Sequence, residues 1–136
     1  MIIISIHIFP HELYEYERVI NTLNSCVEYI ETDEVELWTD MNMNPGVIHW
    51  VDEEQPQTAI NLFKKINKNS KLTTKSRVIQ DAKYLGVNEH RRHTIEHTST
   101  DDDIIFLDSD LYFSKTLLRD IIIARNRVSK FLDYYI

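Results

Sequence analysis

Residues 2–10 read IIISIHIFP, and the fold follows from how that stretch is read. Ile2, Ile3, Ile4, Ile6, Ile8 and Phe9 form a β-branched run that Pro10 ends. A run this short with apolar residues on both faces predicts a buried, central strand of a parallel sheet. Working outward, Leu13, Tyr16, Val19, Ile20, Leu23, Val27 and Ile30 recur at spacings of three and four, which predicts a helix over 11–30. Glu12 and Glu15 suit its positive N-terminal end. Val35, Leu37 and Trp38 predict a second strand that closes at Asp40. MNMNPG (41–46) reads as a turn, and Val47, Ile48, Trp50 and Val51 as a third strand.

Pro56 opens a predicted helix to Lys68, and Val78, Ile79, Ala82 and Leu85 predict another over 74–85 with Gly86 as its stop. A more polar helix follows over 88–98. Ile104, Ile105, Phe106 and Leu107 predict a short apolar strand that runs into Asp108. The last helix is expected over 115–134. Alternating strands and helices imply crossover connections with helices on both faces. The expected fold is therefore α/β, a Rossmann-like three-layer sandwich with a mostly parallel sheet, as one domain over 1–136. Ligands of such sheets sit beyond the carboxyl ends of the strands. Attention therefore falls on residues 10–12, Asp40, 52–54 and 108–110.

Composition narrows the function classes. Hydrophobic residues make up 43% and charged residues 27% of the 136 residues, which argues against a disordered or fibrous chain. A net charge of −7 is the wrong sign for a protein that wraps nucleic acid. The two glycines, Gly46 and Gly86, are too far apart to write either GxGxxG or GxxxxGK[ST]. A phosphorylated ligand would thus need a neutralising group other than a glycine cradle. The single cysteine, Cys26, rules out an internal disulfide and fits a reducing, cytoplasmic compartment. No stretch is long enough for a membrane span, and the apolar start lacks the positive flank of a signal peptide.

The strongest chemical signal is Phe106-Leu107-Asp108-Ser109-Asp110, an apolar strand running into two carboxylates spaced i, i+2. In extended backbone Asp108 and Asp110 project to one side and Ser109 to the other. Paired carboxylates favour a cation between them, and hard oxygen ligands favour Mg²⁺ or Mn²⁺ over zinc. The same residues also suit an acidic turn in which Ser109 or Asp110 caps the next helix.

The order of strand–Pro–helix (IIISIHIFPHELYEYERVINTL), strand–Asp (VELWTD) and FLDSD resembles the nucleotide-sugar half of GT-A glycosyltransferases, above all the large inverting family 2. The resemblance covers about residues 1–120. It implies that Pro10 and Asp40 flank the nucleobase, that Asp108 faces the ribose and the metal's water shell, and that Asp110 is the direct ligand of Mn²⁺ or Mg²⁺ on the sugar diphosphate. In RRHTIEHTSTDDDIIFLDSD, Arg91 matches the family's basic position and would stabilise the leaving diphosphate, while Arg92 stands where Asn is usual. The family's Gly-Ser near Asp40 is absent. The chain ends 26 residues after Asp110, so the acceptor pocket and catalytic base of hexosyl transfer are expected beyond residue 136. The resemblance thus implies a donor-binding part of a GT-A-like fold, truncated after the D-x-D region and incomplete for transfer. The alternative is a non-catalytic α/β binding or self-association module derived from that fold.

Three further features stand out. His93-Thr94-Ile95-Glu96-His97 reads H-x-x-E-H, which places His93 and His97 on one helix face as in an inverted zinc-protease motif, with His90 nearby. A zinc hydrolase is therefore a second alternative, although no glutamate follows Glu96. KKINKNSKLTTKSR (64–77) holds six basic residues and no acid, a run that attracts a phosphate-bearing partner or simply forms a solvated helix end and loop. FLDYYI (131–136) predicts self-association as a homodimer through the C-terminal helix.

Overall fold

The computed structural model describes the backbone of residues 1–81, 83 and 86–135, with side chains through 127. Its elements are β1 (Ile2–Ile8), α1 (Leu13–Cys26), β2 (Val35–Asn42), α2 (Gln55–Lys68), β3 (Thr73–Ile79), α3 (Val87–His97), β4 (Asp103–Leu107) and α4 (Leu117–Tyr135). The four strands form one all-parallel sheet in the order β3-β2-β1-β4. The chain thus grows outward from β1 to β3, then crosses back to set β4 on the other side of β1. That reversal places a crevice between the carboxyl ends of β1 and β4, where open α/β sheets bind ligands.

The two faces of the sheet differ in chemistry. Strand alternation sends Ile2, Ile4, Ile6 and Ile8 to one face, in register with Val35, Leu37, Thr39 and Met41 of β2. This face is the main core. Tyr16, Val19, Ile20 and Leu23 of α1, Phe63 and Ile66 of α2, and Leu118 of α4 join it. The three-to-four spacing read from the sequence is the spacing these helices bury. Tyr16 donates its hydroxyl proton to Asn67 Oδ1, joining α1 to the end of α2. The opposite face carries Ser5 and His7 of β1, Trp38 and Asp40 of β2, and Lys75 and Arg77 of β3, and α3 lies over it. Together these make the three-layer α/β sandwich.

Two predicted elements are corrected. The third strand expected over 47–51 is an irregular loop. Asn44 organises it: its side-chain oxygen accepts from Gly46 N–H at 2.8 Å, and its carbonyl accepts from the N–H groups of Val47 and Ile48 at 3.0 Å each. With those donors consumed the segment cannot join a ladder. Ile48 and Trp50 pack on the core while Val51 is 96% exposed, so the alternation covers the core without forming a strand. The helix expected over 74–85 is instead β3, which ends at Ile79. Its Thr-Thr and Val-Ile pairs carry β propensity, but an edge strand with Lys75 and Arg77 on one face lacks a long apolar run. Val78 and Ile79 belong to β3, while Ala82 and Leu85, which completed the helical spacing, lie outside the described residues. The remaining elements fall within a few residues of expectation.

Candidate functional site

The crevice between β1 and β4 is a cleft of about 520 Å³. Arg91 from α3, Asp108 and Asp110 from the turn after β4, and His7, His11 and Glu12 from the end of β1 all line it. Asp108 and Asp110 are exposed to the cleft, whereas Ser109 between them is 3% exposed. Glu12 explains this alternation. One of its carboxylate oxygens accepts the Ser109 hydroxyl proton, and the other accepts Phe9 N–H at 3.2 Å. Arg18 of α1 adds donors to the carbonyls of Leu111 at 2.8 Å and Ser109 at 3.3 Å, and its guanidinium lies 3.8 Å from the Tyr112 ring centroid. The acidic turn is therefore held from below by α1 and the turn that precedes it. Arg91 crosses the opposite wall, 5.2 Å above the Phe106 ring. Burial pushes the His7 imidazole below its usual range, and the neighbouring His90 adds to that push against the acids Asp40, Glu12 and Glu89.

Pro10 lies on the other side of the same turn. It lines a larger cleft of about 760 Å³ beside Phe9, His11, Tyr14 and Trp50. Phe9 and His11 stack with ring centroids 5.8 Å apart and planes at 10°. His11 borders both clefts, so the charged crevice and the aromatic one share a wall.

Asp40 does not join either cleft. Arg77 donates to both of its oxygens, from Nε at 2.8 Å and from a terminal nitrogen at 2.7 Å. His90 Nδ1 stands 2.7 Å from the second oxygen, and because a carboxylate only accepts, that nitrogen carries the proton. His90 Nε2 then lies 2.6 Å from Ser5 Oγ, which is 2.8 Å from Thr94 Oγ1. Burial alone would raise the Asp40 carboxyl, but the hydrogen bonds and charges of Arg77 and His90 outweigh it and hold it well below the usual carboxylate range. The network fixes α3 to the sheet and sets the height of Arg91.

His93 and His97 lie on the flank of α3 that borders Lys75 and Arg77 of β3, with ring centroids 3.9 Å apart. His97 Nδ1 donates to the His93 carbonyl at 2.9 Å. His90, the third histidine of that run, is turned into the sheet and engaged by Asp40 and Ser5. Among the described residues no group of three or more His, Cys, Asp or Glu is arranged to hold a metal ion. Among the described residues, too, no helix is long and apolar enough to cross a membrane. The side chains of 131–136, expected to mediate self-association, lie outside the described residues.

The structure thus brings Asp108, Asp110 and Arg91 together, sets Pro10 across a shared wall, and places Asp40 elsewhere. Sequence reading pointed to His11 and Glu12 through residues 10–12, but it did not find His7 or Glu15 at the crevice. Ser5 and His7 were the available signal, because two polar residues two apart in an isoleucine strand mark one face as polar. Comparison with protein-family models, with curated proteins and with solved structures gives no match for this chain.

Proposed function

We propose that the chain is a GT-A-like donor-binding domain that takes a nucleotide-diphosphate sugar in the crevice between β1 and β4. One observation carries this reading: Asp108, Asp110 and Arg91 converge on one cleft at the point where strand order reverses. Asp108 and Asp110 would hold Mn²⁺ or Mg²⁺. Two oxygen donors and an open cleft suit a hard cation that keeps its other positions for water and phosphate oxygens. Such a cation supplies neutralisation of diphosphate charge, which the chain's two glycines cannot provide through a backbone cradle. Arg91 adds a fixed positive charge on the facing wall, where departing phosphate oxygens gain negative charge. Glu12 and Arg18 hold the acidic turn, so the two carboxylates need little rearrangement on binding. The aromatic cleft beside Pro10 has the size and flat walls for the nucleobase, with His11 between the two parts of the ligand.

A second reading, a non-catalytic module that keeps the fold, is favoured by Asp40. The position expected to meet the base has both oxygens committed to Arg77 and His90. Thermal stability with UDP, GDP and their sugar conjugates, with and without Mn²⁺, tests the leading reading. A ligand at about 100 times its Kd adds about 2.7 kcal/mol, a shift of several degrees for a domain this size. The expected result is a Mn²⁺-dependent shift that disappears in Asp110→Ala. No shift with any nucleotide overturns donor binding. Release of free sugar from the conjugate separates a working enzyme from a module that only binds.

A further inference from the structure

Two sequence features left unused by the donor-site reading meet in space: the basic run 64–77 and the histidine pair of α3. We infer that the cleft between α3 and the β2–β3 edge is a second binding site, one that takes a phosphoryl group. It lies on the opposite flank of α3 from the acidic turn and shares none of that crevice's lining residues. It stands or falls independently of the donor-site reading.

The sheet register builds the floor. Trp38 pairs with Lys75 and Asp40 with Arg77, so both cations of β3 fall on the face that α3 covers. From above, His93 and His97 sit one helical turn apart over them, closing a cleft of about 320 Å³. That volume lies at the small end of ligand pockets, suited to a phosphoryl group with little attached. Among the described residues lining it, Asp40 is the one acid, and both its oxygens are already bound. Lys75 pairs with Glu36 at 3.3 Å, and its own side chain remains 64% exposed while that of Glu36 is 14% exposed, so the ammonium keeps an open side toward a further anion. The Trp38 ring, 5.0 Å from Lys75 Nζ, keeps that ammonium beside the cleft.

Trp38 forms part of the wall and gives a probe of the cleft. Its indole Nε1 is buried and has no hydrogen-bond partner among the described residues, although the ring lines this cleft. Cations and imidazoles from β3 and α3 thus border one volume, which suits an anion with several oxygens. Burial and the charges of Arg77, His97 and His90 hold His93 below its usual pKa against the opposing pull of Asp40. A bound anion would relieve that repulsion. Binding should therefore favour the protonated form of His93, with Glu36 and Asp40 of β2 as the opposing charges.

The test is an NMR titration of the whole chain with inorganic phosphate near pH 6, following the Trp38 indole N–H and the ring signals of His93 and His97. Saturable shifts of all three are expected. Replacing both histidines, His93→Gln with His97→Gln, should weaken binding about tenfold or more, since each removes an imidazole that borders the cleft. Lys75 is exposed, so Lys75→Gln is expected to fold normally and to weaken binding by a smaller factor. Asp110→Ala should leave it unchanged. Four results would each overturn the proposal: no saturable shift, an equal shift with chloride at matched ionic strength, equal affinity for acetate, or shifts confined to the crevice at Asp108 and Asp110.

Discussion

The two faces of one sheet solve the same packing problem with opposite chemistry. On the α1–α2–α4 face, Ile2, Ile4, Ile6 and Ile8 are all 0% exposed and meet apolar side chains. On the α3 face, the neighbouring positions Ser5 and His7 meet His90, Thr94 and Asn42 through polar contacts. Shape holds the first face, and directed hydrogen bonds hold the second. A helix on an apolar stripe can slide slightly at modest cost, whereas α3 is pinned at one register by Asp40 and Ser5. The acidic crevice and the cleft beside Lys75 both take residues from that pinned helix.

Substitutions can break this contrast. Ile4→Ala empties space in the apolar face and should cost about 4 kcal/mol in urea unfolding, with the same loss at neutral and mildly acid pH. Asp40→Ala leaves His90 and Arg77 without their carboxylate and should cost about 3 kcal/mol at neutral pH. Its folded pKa lies below the unfolded value of about 3.9, so the Asp40 contribution is complete above that pH and fades as pH falls toward the folded pKa. An Asp40→Ala loss that stays constant into strong acid would mean the network is not electrostatic. Ser109→Ala removes one hydrogen bond to Glu12 and should cost about 1 kcal/mol.

The smallest expected effect belongs to His7. Its folded pKa is lowered, so the unfolded chain takes up that proton first, and stability should decline as pH drops below about 6.5. His7→Asn should flatten the decline, measured as Tm against pH. An unchanged slope would assign it to other histidines.

Much of the architecture was legible because burial leaves a periodic trace. The isoleucines of β1 and the stripe of α1 are repeated local choices, each visible without knowing a partner. β3 was missed because an edge strand shows its character only through what it pairs with. Lys75 and Arg77 looked like surface charge until β2 supplied Trp38 and Asp40 opposite them. The site followed the same division. Asp108 and Asp110 could be found by the rule that ligands gather at strand ends. The commitment of Asp40 could not, because Arg77 and His90 reach it from distant parts of the chain.

The central place of β1 also governs how the chain must be made. Its isoleucines leave the ribosome about a hundred residues before their partner on one edge, β4, where Ile3 meets Ile104 and Ile6 meets Leu107. Until then a β-branched segment with no charge of its own presents open backbone groups to any passing strand. Such long-range parallel pairing slows folding and lengthens that exposure. The segment that secures the finished sheet is therefore the one most prone to aggregate during synthesis, and a chain cut short before Asp103 would carry it permanently unpaired on that side.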